Sequence, residues 1–240
     1  MLDVYVINLA TSTERWARTS ARLQELGIPH ERFDAVDGRQ SPHPLFERYD
    51  DKQREKYRRK ALSNAELGCF SSHYLLWQLC VNLNKPIVVM EDDVVIRSTL
   101  NEALYIAEEQ IEKLKYLRLA GTILKHRPYK KICSFGTFDL NNHIRGPSGA
   151  LCYVLSPCAA EALIKHCQVW FIAVDDYMDH YWWHGVDCYS LMPFPIDFGD
   201  NLSDIPRLAK QPWPLWKKLR KEFYNLIEKS KMILYRKKNL

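Results

Sequence analysis

Three carboxylates stand side by side in VVMEDDVV: Glu91, Asp92 and Asp93. The flanking residues are apolar, so an interior strand runs straight into three negative charges. Like charges there repel, and burying them unpaired is costly. A hard divalent cation, Mg or Mn, resolves the conflict by taking carboxylate oxygens together with substrate phosphates. Residues two apart in a strand face the same way, so Glu91 and Asp93 are the expected metal pair and Asp92 faces elsewhere. The competing explanation is an acidic cluster at a helix N-terminus, since Ser98 and a helical pattern follow closely.

A second carboxylate pair, Asp175-Asp176, precedes a segment rich in aromatics and histidines (Tyr177, His180, Tyr181, Trp182, Trp183, His184). A base for a hydroxyl beside flat rings suits a sugar-active site. The alternative is an N-capping aspartate followed by core aromatics. Ser71-Ser72-His73 sits inside an apolar helical stretch, where a histidine is more often a satisfied core residue. Asn8-Leu9 ends the first apolar run, and Arg15 and Arg18 follow it. A strand-to-helix turn offers free N–H groups, and arginines pair with phosphate. Two arginines on a helix are equally a solvated face, and neither G-x-G-x-x-G nor G-x-x-x-x-G-K occurs.

These residues need elements to carry them. DVYVINL (3–9) reads as a strand. A capping box at Thr11-Ser12-Thr13-Glu14 then opens a helix that stops at Gly27. HERFDAV (30–36) is a second strand, closed by Asp37-Gly38. Residues 39–62 show no periodicity and read as a long charged surface segment. Ser63-Asn64-Ala65-Glu66 is a second capping box, for a helix to about Leu83. The acidic strand, a helix near 99–113, a strand around 116–121, a strand at 149–155 and a helix begun by Ser156-Pro157 complete the pattern. Strands alternating with helices imply an α/β fold with parallel strands.

At 240 residues the chain holds one domain plus an appendage. The expected division is 1–206 for the domain and 207–240 for a tail. The net charge of +5 is unevenly placed: 207–240 carries 11 Lys/Arg against 2 Asp/Glu, and the rest carries 23 against 27. In the tail, Trp216, Leu219, Phe223, Leu226 and Ile227 fall on one helical face and Lys217, Lys218, Arg220 and Lys221 on the other. That is the pattern of a helix lying on an anionic membrane, the alternative being a helix docked on its own domain. No recognition fold accompanies the basic residues, so nucleic acid is not an expected partner. No apolar run reaches the ~20 residues of a membrane span, and the N-terminus lacks a signal-peptide pattern. Seven cysteines, none spaced C-x-x-C, read as structural thiols of a reducing compartment.

The blocks VINLATSTERWAR, LGIPHERFDAVDG, LSNAELGCFSSHYLLW, IVVMEDDVV, GALCYVLSPCAAEALI and VDDYMDHY occur in that order. Together they resemble glycosyltransferase family 25, the lipopolysaccharide and lipooligosaccharide glycosyltransferases. The tail is not part of the shared pattern. The resemblance implies a GT-A-type, Rossmann-like fold with a mixed sheet, a UDP-galactose or UDP-glucose donor, Mn or Mg, and an inverting mechanism. It implies donor-binding residues Asn8, Leu9, Arg15, Asp37, His73 and Asp92, metal ligands Glu91 and Asp93, and a catalytic pair Asp175 and Asp176. The acceptor it implies is a lipid-linked oligosaccharide, met at the inner face of the cytoplasmic membrane. A nucleotidyltransferase, or a non-catalytic saccharide- or partner-binding relative, is the alternative.

Overall fold

The computed structural model describes residues 2–40, 42–57, 60–122, 127–199 and 214–239. The chain opens with β1 (Asp3–Asn8), α1 (Thr13–Glu25) and β2 (His30–Asp34), then a 3₁₀ turn (Pro44–Arg48), α2 (Asp51–Tyr57) and α3 (Asn64–Leu83). The acidic triplet spans the end of β3 (Ile87–Glu91) and the bend before β4 (Val94–Ile96). Next come α4 (Leu100–Leu114), β5 (Tyr116–Arg118), β6 (Tyr129–Phe135), β7 (Phe138–His143), β8 (Cys152–Leu155) and α5 (Pro157–His166). Two short helices, α6 (Val174–Met178) and α7 (Tyr181–His184), precede β9 (Tyr189–Met192), β10 (Ile196–Phe198) and the long α8 (Leu215–Asn239).

Eight strands form one mixed sheet in the order β2-β1-β3-β8-β5-β9-β7-β6, and β10 and β4 pair separately. β1 lies parallel to both β2 and β3, with Ile7 opposite Glu91 and Asn8 opposite Asp34. The carboxyl ends of three strands therefore finish at one edge, where open α/β sheets bind ligands. β8 runs antiparallel to β3, with Met90 opposite Cys152, which brings the Gly149 turn to the same edge.

Both faces of the sheet are covered, which explains the unbroken apolar runs of β1 and β3. Val4, Val6, Val88 and Met90 pack with Leu23, Leu100 and Ala107 of α1 and α4. Tyr5, Ile7, Ile87 and Val89 pack with Phe70, Trp77, Ala160 and Leu163 of α3 and α5. α3 is apolar nearly all round because it is buried, and its capping box forms as expected, with Ser63 Oγ accepting from Glu66 N (3.2 Å) and Glu66 Oε2 accepting from Ser63 N (2.7 Å).

Three local expectations need correction. The expected Thr11–Glu14 capping box is displaced: α1 starts at Thr13 with Ser12 as its N-cap, and the Ser12 hydroxyl makes no capping bond but accepts from Arg15 NH2 (3.0 Å). Residues 39–62 are not a structureless surface segment: α2 forms within them, and its Arg54 is buried, donating to Lys60 O (2.7 Å) and Phe171 O (3.2 Å). Asp175 and Asp176 lie inside the first turn of α6, whose N-cap is Ala173, so neither caps it. The expected domain boundary at 206/207 lies outside the described residues.

Candidate functional site

Leu9, Arg15, Asp37, His73, Glu91, Asp92 and Asp93 line one cleft at the carboxyl edge of β1, β2 and β3. Residues spread over 85 positions of sequence thus meet, and Asn8 stands directly behind them. Arg18 does not join: it is exposed and lines a separate depression with Arg22 and Glu25.

The three carboxylates are handled individually. Asp92 is buried and turned toward α1, accepting from Asn8 Nδ2 (2.5 Å) with Arg15 NH1 at 3.6 Å, while Thr19 Oγ1 donates to its carbonyl (2.9 Å). Burial raises its carboxyl pKa, and Asn8 and Arg15 oppose that rise. Glu91 Oε1 lies 3.3 Å from His73 Nε2. Asp93 lies in the bend beyond β3, so strand alternation does not set its direction; instead Gly199 N donates to its carbonyl (2.9 Å). A Cβ on Gly199 would meet that oxygen at 2.6 Å, so only glycine permits the approach.

Asp93 is the least compensated carboxylate of the three. Its Oδ1 is buried without a hydrogen-bond partner. Burial, then repulsion by Glu91 and Asp92, pushes its carboxyl up to about 6. A divalent cation between Asp93 and Glu91 would supply the partner and relieve the repulsion, so these residues fit Mn or Mg. Cys69, His73 and Glu91 also place ligand atoms within 4.8 Å of one another. Burial and then the Glu91, Asp175 and Asp93 charges hold the Cys69 thiol well above its ordinary pKa, which disfavours the thiolate a softer metal needs.

The other cleft wall is the 35–39 loop, fastened to α3. Val36 N donates to Ser72 Oγ (2.9 Å), which donates to Gly68 O (2.9 Å). A Cβ on Gly38 would meet Asn64 O at 2.0 Å, so this turn packs backbone to backbone. Asp37 accepts from Arg39 Nε (2.9 Å) and NH2 (3.1 Å), which holds its carboxyl below the ordinary range. His73 is fully buried, as a core histidine would be, with Nδ1 2.9 Å from Tyr153 OH. Its other nitrogen faces Glu91 of the acidic triplet.

Asp175 and Asp176 part company. Asp175 Oδ2 accepts from Gly149 N (3.2 Å), at the sheet edge beside Glu91, and burial followed by the Asp176 charge raises its pKa. Asp176 is half-buried and lines a second cavity bounded by α8. Behind them lies a buried charge cluster that sequence patterns did not reveal. Asp179 accepts from Arg127 NH1 and Ser148 N (3.0 Å), and fully buried Arg118 donates to Tyr116 OH (2.9 Å) and Ser148 O (2.9 Å). Apart from the Tyr116–Arg118 bond, their sequence separations of 30 to 52 left no local signal. Asp197 of β10 is paired with Arg97 (2.7 Å).

α8 docks and also presents an apolar face. Glu228, buried, accepts from Trp182 Nε1 (2.7 Å) and Trp183 Nε1 (2.5 Å), and Arg236 donates to His143 O (3.2 Å). Trp216, Leu219, Phe223, Leu226 and Leu234 remain 57–66% exposed. Among the described residues no helix is long and apolar enough to cross a membrane.

The family model for glycosyltransferase family 25 (LPS biosynthesis protein) matches residues 1–178. The lipooligosaccharide biosynthesis protein lic2B of Haemophilus influenzae is 26% identical over 171 residues, covering 68% of this chain and 62% of that protein. A glycosyltransferase 25 family member of Anopheles gambiae is 34% identical over 96 residues, 38% of this chain and 16% of its own length. A relative from Rattus norvegicus, named a probable inactive glycosyltransferase 25 family member 3, is 27% identical over 239 residues, 88% of this chain and 41% of its own length. The chain thus spans less than two thirds of each of these relatives.

Proposed function

We propose a function from one premise: the chain belongs to glycosyltransferase family 25. It is an inverting, metal-dependent hexosyltransferase of GT-A type, moving galactose or glucose from a UDP-sugar to a lipid-linked oligosaccharide. The observation that carries this reading is Asp93, whose buried oxygen lacks a partner and whose carboxyl is crowded by Glu91 and Asp92 at the edge where three strands end. Some relatives are named inactive, but this chain carries all three carboxylates, with Asn8 and Arg15 on Asp92 and His73 on Glu91.

Glu91 and Asp93 would hold the metal, which when bound would supply positive charge against the donor diphosphate and the charge that builds on departing UDP. Asn8 and Arg15 fix Asp92, and His73 fixes Glu91, so the triplet keeps its shape as charge moves. Leu9, Asp37 and Arg39 border the space for the nucleotide. Asp176 takes the proton from an acceptor hydroxyl while that oxygen bonds to the anomeric carbon. The bond from that carbon to the diphosphate oxygen breaks, its electron pair leaves with UDP, and the configuration inverts. Because Glu91 and Asp93 serve the metal on the leaving side, the base must come from another element, which Asp176 satisfies.

The outer face of α8, with its exposed apolar stripe and adjoining lysines, suits the inner face of an anionic membrane, where a lipid-linked acceptor resides. A donor panel of UDP-galactose, UDP-glucose and other UDP-sugars, with UDP release and product mass as readouts, tests the reading. Mn- or Mg-dependent UDP release that needs an oligosaccharide acceptor is expected. Release with no donor under any metal would favour a non-catalytic relative.

A further inference from the structure

A cavity of about 540 Å3 adjoins Asp176, within the ~300–1,000 Å3 range of small-molecule sites. Asp176, Arg127, His180 and Trp182 line one part of it, and Lys229 and Met232 of α8 line another. Its chemistry is that of a sugar site: an indole and an imidazole beside charged hydrogen-bonding groups. The Trp182 indole is held in place, because its N–H is committed to Glu228 Oε2 (2.7 Å) and the His180 ring packs on it at 4.6 Å between centroids. A fixed ring of this kind offers a platform to the apolar face of a pyranose at little cost in side-chain entropy.

The cavity is separate from the acidic cleft, and Asp176, which lines it, is one residue from the sheet edge. Asp175, adjacent to Asp176 on α6, accepts from Gly149 N, and Gly149 lies at the sheet edge that carries Glu91. Four of the six residues named, His180, Trp182, Lys229 and Met232, lie beyond residue 178, where the family match ends. The wall facing Asp176 is thus made by the part of the chain that the family pattern does not cover.

We infer that this cavity is the acceptor subsite, that it seats the terminal pyranose of an oligosaccharide against Trp182, and that α7 and α8 set its selectivity. The inference rests on the transferase reading for the role of Asp176, but the binding it asserts is measurable without catalysis. The full chain, labelled with ¹⁵N at tryptophan indoles, is titrated with methyl glycosides of glucose, galactose, N-acetylglucosamine and lactose. The Trp182 signal is assigned by its loss in Trp182→Phe. At least one glycoside should shift that signal saturably. Met232→Trp, which narrows the cavity from α8 and leaves the Trp182–Glu228 bond alone, should weaken that glycoside at least tenfold and leave UDP affinity unchanged. If no glycoside moves the Trp182 signal, or Met232→Trp binds as tightly as the natural chain, the inference is overturned. Acceptor-dependent transfer without a Trp182 response would sink the subsite and leave the transferase reading standing. A Trp182 response without transfer from any UDP-sugar would do the reverse.

Discussion

His73 Nε2 and Glu91 Oε1 face each other across 3.3 Å, and the protons between them are fixed from both ends. Trp77 Nε1 can only donate, so Tyr153 OH accepts from it (2.9 Å) and turns its own proton toward His73 Nδ1 (2.9 Å). That leaves the histidine proton on Nε2, pointing at a carboxylate that can only accept. Three side chains from α3 and β8 therefore aim one oxygen of Glu91. Tyr153→Phe strands the Trp77 N–H and frees the tautomer. It should cost about 1–3 kcal/mol of stability by chemical denaturation, and Mn-dependent UDP affinity should fall with it. Natural stability and natural UDP affinity in this variant would rule out the relay.

The Asp93 carboxyl makes metal stabilisation depend on pH. Its folded pKa is about 6 against an ordinary 3.8, so between those values the metal-free folded chain holds a proton that the unfolded chain has lost. The contribution of this group to stability therefore falls as pH rises through that window. Mn must displace the same proton, so at a fixed Mn concentration the gain in Tm should be small near about pH 5 and larger near about pH 7. Asp93→Asn should flatten the profile. A gain independent of pH would remove Asp93 from the metal site.

The two carboxylates of α6 are expected to differ. Asp176→Asn should lower turnover by ~10²–10⁴-fold with UDP affinity intact, as for loss of a general base. Asp175→Asn keeps an oxygen for Gly149 N and should lose much less. Steady-state kinetics with UDP titration separate the outcomes. If both variants turn over normally the base lies on another element, and if both lose UDP the pair belongs to the donor side.

Much of this arrangement was legible in the sequence, and the physical reason is locality. The Ser63–Glu66 box, Ser156-Pro157 and the apolar runs of β1 and β3 act over a few residues, so pattern and spacing identify them. What escaped depends on distant partners. α2 has no apolar period of its own and is held by Arg54 reaching the backbone of Phe171. Thr11 and Glu14 looked like a capping box, but the helix begins one residue later, and the hydroxyl of its N-cap Ser12 accepts from Arg15. Glu228 gave no signal of its own in the basic tail, yet two tryptophans 45 and 46 positions away bind it. The acidic triplet was visible as a charge conflict, yet the carboxylates of Asp92 and Glu91 are aimed by Asn8 of β1 and His73 of α3, and Gly199 holds the Asp93 backbone carbonyl.

The docked face of α8 leaves its opposite face available for a membrane test that does not disturb the fold. Leu219 and Phe223 are 64% and 62% exposed and lie apart from the Glu228 contacts. Leu219→Glu with Phe223→Glu should reduce co-sedimentation with phosphatidylglycerol vesicles. Binding by the natural chain should weaken with salt, as each surface cation contributes about 1 kcal/mol. Equal binding by the two proteins, or binding indifferent to salt, would separate α8 from the membrane.

The central claim is that the acidic triplet holds a divalent cation that bridges to the donor diphosphate, and calorimetric titration of UDP tests it most directly. The natural chain should bind UDP at least tenfold more tightly with Mn than with a chelator. Asp93→Asn, folded by circular dichroism, should lose that difference and retain the weaker, metal-free binding. An Asp93→Asn protein that binds UDP with unchanged affinity in Mn would contradict the account.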